Sequence, residues 1–418
     1  MQIFIILLIT FFCIVSNTWS AGFQLFNEGS ARVMGLGAAV TGRTDLIESV
    51  WYNPSATAFF KKPEFMIGSA FVYPSLKFKS DVTGKNYEMT DRLHPLPFLY
   101  ITYPVKDRFV LNFSFNVPYG LTTDWDADWE GRYEADYTSL RCYFFTPSLA
   151  VKLTDHFSIG FGPQIVYTDA ELRKSIIPTN QGIDVRTKLD GNDWDMGWLF
   201  SMIYKIKDHT SIGLIYRSQI TLDLDGYAKY YNTQGTTISP LNIPTSILFR
   251  NGDGKVFLDL PDTFSVGIAT QYFQHWILSL DLLWSGWSTY DKLKFKYEHK
   301  PGDPFGNPGI VEYPKDWKDV FAIRFGAEYL INNYLNLRFS YVYDADPVND
   351  NTRGAELPTN DRHLFSLGLG YNKKNLGIDF AYTYLLMKDS KPGKDTSYLR
   401  GEYEGYAHIF AFDIKYKF

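Results

Sequence analysis

The chain has 418 residues, of which 45% are hydrophobic, 17% are aromatic and 21% are charged, and its formal net charge is −5. The negative charge argues against a nucleic-acid partner, and the presence of only two cysteines excludes a disulfide scaffold. Only one apolar run, at the N-terminus, approaches the ~20 residues that a spanning helix needs, which excludes a helical membrane protein. Two or three soluble domains or one large β-barrel remain.

The first twenty residues are typical of a secretory signal peptide. Residues 2–15 read QIFIILLITFFCIV, and Thr18 and Ser20 stand at the −3 and −1 positions of a cleavage site before Ala21. The alternative is a membrane anchor, but an apolar run of about 14 residues is short for spanning a bilayer. We therefore predict that residues 1–20 are removed and that the exported chain keeps only one cysteine, Cys142.

From about residue 63 onward, apolar and polar side chains alternate. Segments 211–224 and 334–344 each have one apolar and one polar face, and Asp223 and Asp344 lie on the polar faces. Alternation alone would also fit a soluble sandwich. The two apolar faces consist of Ile212, Leu214, Tyr216, Ile220 and Leu222, and of Leu335, Leu337, Phe339, Tyr341 and Tyr343.

The connections between the segments decide between these folds. Short polar turns, such as Lys106-Asp107, alternate with long loops, which is the layout of a bacterial outer-membrane barrel whose short turns face the periplasm. In lipid such a sheet must close, since an open edge leaves backbone groups unsatisfied. We therefore predict a 14-stranded antiparallel transmembrane β-barrel over residues 63–418 with both termini in the periplasm. The strands are predicted to start near residues 64, 96, 108, 138, 156, 193, 210, 262, 275, 317, 334, 361, 375 and 404.

Aromatic side chains support the barrel. Trp276 and Trp284 share the apolar face of one strand, and at ~3.3 Å per residue their separation is close to the height of an apolar band between aromatic girdles. The chain ends at Phe418, and a last strand that ends in phenylalanine is what the barrel-assembly machinery recognises. Outer-membrane lipid, lipopolysaccharide and this machinery are the predicted partners of a monomeric barrel.

The predicted inward face is charged, and a barrel of about fourteen strands is too wide for its own side chains to fill. It must therefore be plugged or be a pore. Residues 21–62 are rich in glycine and alanine and contain no clear strand, which favours an N-terminal hatch inside the lumen. The inward side chains are Arg217, Asp223, Asp281, Arg324, Glu328, Arg338, Asp344, Asp379, Asp413, Lys415 and Lys417.

An ordered set of short motifs runs through the chain. The motifs are AGFQLFNEGS (21–30), WYNPSA (51–56), WEGRY (129–133), LPD (260–262), DLLWSGWS (281–288), WKD (317–319), YDADPV (343–348) and LPTNDR (357–362). The set resembles the outer-membrane long-chain fatty-acid transporter (FadL/TodX-type) family, a fourteen-stranded barrel with an N-terminal hatch. The resemblance runs from residue 21 to residue 418, with Ser55 in place of the alanine of the family's Asn-Pro-Ala motif. Segments 228–258 and 299–316 match nothing in that pattern.

The resemblance implies that a hydrophobic ligand is collected outside, enters a pocket at the hatch and leaves sideways through a kink in the third strand. It implies that Phe23 enters the pocket, that Asn53 and Pro54 fix the hatch, and that Asp344 is a lumen carboxylate near the kink. The kink would comprise residues 116–120, with Asn116, Pro118 and Gly120.

The residues themselves leave other interpretations open. Asn53-Pro54 is a common turn starter, and Asp344 on a polar face could simply pair with a neighbouring arginine. Pro118 lacks an N–H group and could, with Gly120, merely end the third strand.

Other functions have less support in the sequence. None of the seven histidines has a recognisable nucleophile or carboxylate partner motif, and there is no metal pair at helical spacing, so we predict no catalytic residue, metal or cofactor. An open porin for small solutes would not need residues 21–62. The predicted function is passive transport of a hydrophobic small molecule, most simply a long-chain fatty acid, with aromatic hydrocarbons or other apolar molecules as the alternative ligands.

Overall fold

The computed structural model describes residues 22–418. The predicted signal peptide, residues 1–20, lies outside the described residues.

Fourteen antiparallel strands form one closed barrel, as predicted. The first strand pairs with both the second and the last, and this closes the sheet. The strands are β1 (Glu64–Ser80), β2 (His94–Lys106), β3 (Phe109–Asp124), β4 (Tyr137–Lys152), β5 (Phe157–Pro178), β6 (Asp184–Lys207), β7 (Thr210–Arg217 and Ile220–Tyr231), β8 (Gly252–Leu260 and Thr263–Thr270), β9 (Trp276–Ser285 and Lys292–Tyr297), β10 (Gly309–Pro314 and Val320–Leu330), β11 (Leu335–Asp344), β12 (Arg362–Lys373), β13 (Leu376–Ser390) and β14 (Gly401–Lys417).

The remaining elements are short. Among residues 22–418, no helix has the length and apolar character needed to cross a membrane. The helices are α1 (Ala31–Gly35), α2 (Ser49–Tyr52) and α3 (Thr245–Leu248), with 3-10 turns at Pro54–Phe59 and Trp287–Thr289, and the additional strands are Asn86–Glu88, Thr237–Ile238 and Ile243–Pro244.

Outward-facing aromatic side chains form a row across five adjacent strands, β6 to β10. Each member is paired in register with the next, as in an interfacial girdle, and the long loops lie above this row. The row consists of Phe200, Tyr216, Phe264, Trp284 and Phe321.

Above this row the β7 ladder is interrupted between Arg217 and Ile220. Beyond the interruption, the positions that would have faced inward face outward, and the reverse. Ser218 bonds to the backbone N and O of Trp198, and one extra residue shifts the alternation. Leu222 and Leu224 are consequently buried inside, whereas Asp223 faces outward and pairs with Lys255 at 3.3 Å. The assignment of Asp223 to the inward face is therefore wrong, because segment 211–224 contains a bulge rather than one continuous alternation.

The N-terminal segment, residues 22–62, lies against the inner face of the barrel. Helix α1 contacts β11 to β14, and the 3-10 turn Pro54–Phe59 contacts β3 to β6 on the other side. Nearly all of residues 26–58 are buried. The segment therefore reaches from one side of the wall to the other.

Buried ion pairs join this segment to the wall. Glu328 on β10 is fully buried and accepts hydrogen bonds from Arg32 at 3.1 Å and from Arg43 at 2.7 Å. Its other oxygen accepts from Arg338, which also donates to Asp379 at 2.6 Å. Since a buried charge without a partner is costly, these contacts hold the segment at a defined place on the wall.

Candidate functional site

Strand β3 carries a bulge at the predicted kink. Asn116 pairs with Phe144 and Tyr119 with Cys142, so β3 has two residues, Val117 and Pro118, opposite the single Tyr143 of β4. Because proline has no N–H to donate, this is a position where a ladder is readily interrupted.

On its other side β3 separates from β2 at the same level. The pairing of β2 with β3 ends at Leu99 and Phe115, although β2 begins at His94 and β3 continues to Asp124. The facing stretch of β2 contains Pro95 and Pro97, neither of which has an N–H group. The described part of the wall therefore has an unpaired opening, the wall gap, between residues 94–98 and 116–124.

The N-terminal segment occupies the freed edge of β3. The Leu25 N–H donates to the Pro118 carbonyl at 2.8 Å, and the Gly120 N–H donates to the Phe23 carbonyl at 3.1 Å. Gln24 forms an isolated bridge with Tyr119. The backbone of β3 at the gap is thus paired with the N-terminal segment instead of with β2.

A cavity of about 460 Å³, the wall cavity, opens at this gap. Its lining includes inward-facing Phe23 and Leu121 and also Tyr143 on the outer face of β4, so the cavity extends from the interior into the wall. Most of the lining is apolar. The lining includes Phe23, Leu25, Glu28, Leu96, Val117, Gly120, Leu121, Leu140, Leu357 and Arg362.

Phe23 lies in a cluster of aromatic rings at the inner end of the wall cavity. Its ring centroid is 4.8 Å from that of Trp287, 5.8 Å from Trp317 and 6.1 Å from Tyr119, and the side chain is 5% exposed. Gly22 has φ +59°, and a Cβ there would lie 2.7 Å from the Trp317 ring, so only glycine suits this approach. The indole Nε1 of Trp287 is buried without a hydrogen-bond partner among residues 22–418.

Two further cavities continue toward the end of the barrel that carries the long loops. The central cavity, about 60 Å³, shares Phe23, Leu121, Leu140 and Leu357 with the wall cavity. The loop-end chamber, about 310 Å³, shares Leu172, Leu293, Lys315 and Glu356 with the central cavity. Three adjoining apolar spaces therefore lead from the loop end to the wall gap.

The loop-end chamber is lined by three cations, Arg173, Lys174 and Lys315, and by two carboxylates, Glu134 and Glu356. Lys315 donates to Glu356, and although burial alone would raise the pKa of Glu356, Lys315 holds it below its usual range. The Lys174 Nζ donates to the Tyr313 hydroxyl at 3.1 Å and lies 4.7 Å from the centre of that ring. The chamber thus combines apolar walls with an excess positive charge.

Asn53 and Pro54 lie apart from these cavities. The Asn53 Nδ2 donates to the carbonyls of Thr41, at 2.7 Å, and Met202 on β6, at 3.3 Å. Pro54 opens the 3-10 turn, where its missing N–H removes no bond. These contacts join two parts of the N-terminal segment to β6, and the functional role of the motif stays a prediction.

Asp344 and Asn116 make contacts near the gap. Asp344 accepts a hydrogen bond from Arg362 at 2.5 Å, and Arg362 lines the wall cavity. The Asn116 Nδ2 donates to the Tyr100 hydroxyl, also at 2.5 Å, and Tyr100 donates to the Gly29 carbonyl. The structure therefore gathers Phe23, Gly120 and, through Arg362, Asp344 around one cavity.

No functional role was predicted from the sequence for five residues that line or flank these cavities, namely Glu28, Lys174, Arg362, Pro95 and Pro97. Arg362 ends the LPTNDR motif, whose Leu357 lines both the wall cavity and the central cavity. The two prolines lie in a predicted strand, where P-x-P signals an interrupted ladder. For Glu28 and Lys174 the sequence offers no comparable signal.

Comparisons with known proteins agree with this architecture. The family model described as outer membrane protein transport protein (OMPP1/FadL/TodX) matches residues 11–418. A long-chain fatty acid transport protein of Salmonella typhi is 26% identical, covering 97% of this chain and 96% of its own length, and that of Escherichia coli K12 is 25% identical over the same shares.

Solved structures show the same fold. A FadL homologue from Pseudomonas aeruginosa superposes with a TM-score of 0.82 at 23% identity, covering 95% of this chain and all of that one. The toluene transporter TodX of P. putida superposes with a TM-score of 0.73 at 15% identity, covering 96% and 99%. The chain belongs to the OMPP1/FadL/TodX family of outer-membrane transport proteins for hydrophobic compounds.

Proposed function

We propose that this protein carries long-chain fatty acids through the outer membrane by passive diffusion. In this proposal the loop end faces the outside, and the ligand enters the loop-end chamber, passes the central cavity beside Phe23 and leaves sideways through the wall gap. The series of adjoining apolar cavities from the loop end to the gap is the observation that carries the proposal.

Simple physical chemistry supports such a route. Burial of an alkyl chain in an apolar cavity is favourable by ~0.8 kcal/mol for each CH₂ group. An opening in the wall lets the ligand enter the membrane without crossing the ionic contacts around Glu328. Movement down a concentration gradient needs only binding and release along this path. Residues 21–62 would act as the hatch that closes the lumen.

Charge in the loop-end chamber favours a carboxylate-bearing ligand. Lys174 has an aromatic rather than an acidic hydrogen-bond partner, so its ammonium could bind a carboxylate while the alkyl chain occupies the apolar wall. The alternative ligand class, aromatic hydrocarbons, is supported by the rings around Phe23 and by the fold shared with a toluene transporter.

Replacing Lys174 with methionine tests the ligand class. We expect uptake of oleate by cells lacking their own transporter to fall about fivefold, the effect of losing ~1 kcal/mol of ionic attraction at a partly exposed site. Uptake of toluene should not change. The matched control is Lys229→Met on β7, outside the chamber, which should alter neither rate. Equal effects on oleate and toluene would contradict a carboxylate ligand.

The proposed orientation can be tested with epitope tags. The loop that joins β9 to β10 lies at one end of the barrel, and the C-terminus lies at the opposite end. A tag inserted between Pro301 and Pro308 should be labelled on intact cells, and a tag after Phe418 should be labelled only after the outer membrane is permeabilised. The reverse pattern would overturn the orientation.

The proposed partners follow from the same orientation. Phe418 is 60% exposed at the end of β14 and is available to the barrel-assembly machinery. Lipopolysaccharide and lipid would surround a monomeric barrel along the outward aromatic row.

A further inference from the structure

Glu28 is a buried carboxyl group that faces the wall cavity. The residue is 5% exposed, and its Oε2 has no hydrogen-bond partner within residues 22–418. Glu28 also lines a smaller space directly beneath the bulge of β3, together with Leu25, Leu96 and Val117. A buried polar atom without a partner is unusual enough to indicate a group that binds there.

Arg362 offers a second unused polar atom in the same cavity. Its Nη2 donates to Asp344 at 2.5 Å, but its buried Nε has no partner in the described chain. Both side chains line the cavity, whose other walls are mostly apolar. One hydrogen-bond donor and one carboxyl group therefore face an apolar space next to the wall gap.

We propose that Glu28 and the Nε–H group of Arg362 together bind the carboxylate of a fatty acid in the wall cavity, immediately before the ligand leaves through the gap. This inner headgroup site rests on the proposed function and is separate from the lysines of the loop-end chamber. Glu28 in its neutral form donates a hydrogen bond to one carboxylate oxygen, and Arg362 donates to the ligand as well. The alkyl chain lies along Leu25, Leu96 and Leu121.

The protonation state of Glu28 controls this site. Burial raises the pKa of Glu28 to about 7, because the opposing attraction of Arg362 is the smaller effect. The other charged and titratable groups that act on it are Arg324, Asp344 and Tyr52. Below pH 7 the neutral carboxyl group of Glu28 can donate a hydrogen bond to the ligand's carboxylate. Above pH 7 Glu28 is ionised, and it repels the ligand's carboxylate. Affinity for an anionic ligand should therefore be highest at low pH and fall as pH rises through 7.

The test uses ligands that do not titrate. Binding of hexadecanesulfonate, a permanent anion, and of neutral hexadecanol is measured on the mature protein in lipid nanodiscs at pH 6 and pH 8.5. The variants are Glu28→Gln, which keeps the shape and an N–H donor, and Glu28→Ala. Glu88→Gln, on an exposed short strand, is the matched control. Retained heat-modifiable mobility on gels identifies folded barrels.

For the wild-type protein and Glu88→Gln we expect the dissociation constant for hexadecanesulfonate to rise about thirtyfold from pH 6 to pH 8.5, because the neutral fraction of Glu28 falls about tenfold for each pH unit above its pKa. Glu28→Gln should bind tightly at both values, Glu28→Ala weakly at both, and hexadecanol should show no pH dependence. The same pH dependence in Glu28→Gln as in the wild type would overturn the inner site while leaving the proposed function standing. A wild-type protein that does not prefer hexadecanesulfonate to hexadecanol at pH 6 would overturn both.

Discussion

Replacing Pro118 and Gly120 together with threonine and valine, respectively, is expected to lower oleate uptake at least about tenfold, equivalent to ~1.4 kcal/mol in the barrier to transport. The threonine would restore an N–H group at the bulge, and the valine would place a side chain where Gly120 now lines the wall cavity. A Cβ added at Gly120 would lie 2.9 Å from Leu25 Cδ1, so Leu25 must move into the cavity. Uptake is measured in cells with matched surface expression.

We expect oleate uptake to fall mainly because the new valine side chain fills the wall cavity. Restored backbone pairing between β2 and β3 should contribute less. Even with the new N–H group, β2 still carries Pro95 and Pro97 opposite the changed residues. The barrel should remain as stable as the wild type, because the pairing of β3 with β4 beyond the bulge does not depend on either side chain.

A proline change elsewhere in the wall serves as the control. Pro104 on β2 lies near a short turn, far along the strand from the gap, and Pro104→Thr should leave uptake unchanged. If the Pro118→Thr/Gly120→Val variant transports oleate at the wild-type rate, the ligand leaves by another path. The simplest other path leads past the N-terminal segment into the periplasm.

The sequence was sufficient to predict the barrel, because period-two alternation and alternating connection lengths are both local signals. The predicted starts of β1, β7 and β9 differ from the observed starts by at most one residue. The start of β6 was predicted near residue 193, nine residues after Asp184. Above the row the outward side chains of this strand, such as Lys188 and Asp190, are polar, whereas Val185 and Leu189 face inward. The hydrophobic alternation is therefore the reverse of that of a strand in lipid.

The cavities were less predictable than the strands. The gap depends on β2 and β3 losing their pairing at one level, which requires Pro95, Pro97 and Pro118 to be aligned across two strands. Glu28 and Arg362 are 334 positions apart in the numbering and meet only because the N-terminal segment lies inside the closed barrel. Patterns of hydrophobic and polar residues along the chain do not show that these two side chains line the same cavity.

Removing residues 23–50 is expected to convert a nearly closed barrel into an open pore. Fourteen strands enclose more space than their side chains fill, and the deletion removes Arg32, Arg43 and helix α1 from the lumen. Conductance in planar lipid bilayers should rise by more than about tenfold, since a water-filled channel of this width passes small ions.

The barrel itself should survive the deletion. The ladder of β1 to β14 uses none of the deleted residues, and within the described chain the backbone-to-backbone hydrogen bonds between the deleted segment and a strand are those of Phe23 and Leu25 with β3. Glu328, Asp281 and Asp413 lose partners, but water that fills the lumen can solvate them.

A single substitution should give an intermediate result. Glu328→Gln keeps residues 22–62 in place but removes the charge that pairs with Arg32, Arg43 and Arg338, at a cost of about 3 kcal/mol for a buried pair. We expect brief, infrequent openings in this variant and steady conductance in the deletion. Glu312→Gln, on the exposed β9–β10 hairpin, should remain as closed as the wild type. Equal and low conductance in all these proteins would mean that residues 23–50 do not close the lumen. The presence of residues 21–62 would then no longer distinguish a plugged transporter from a porin.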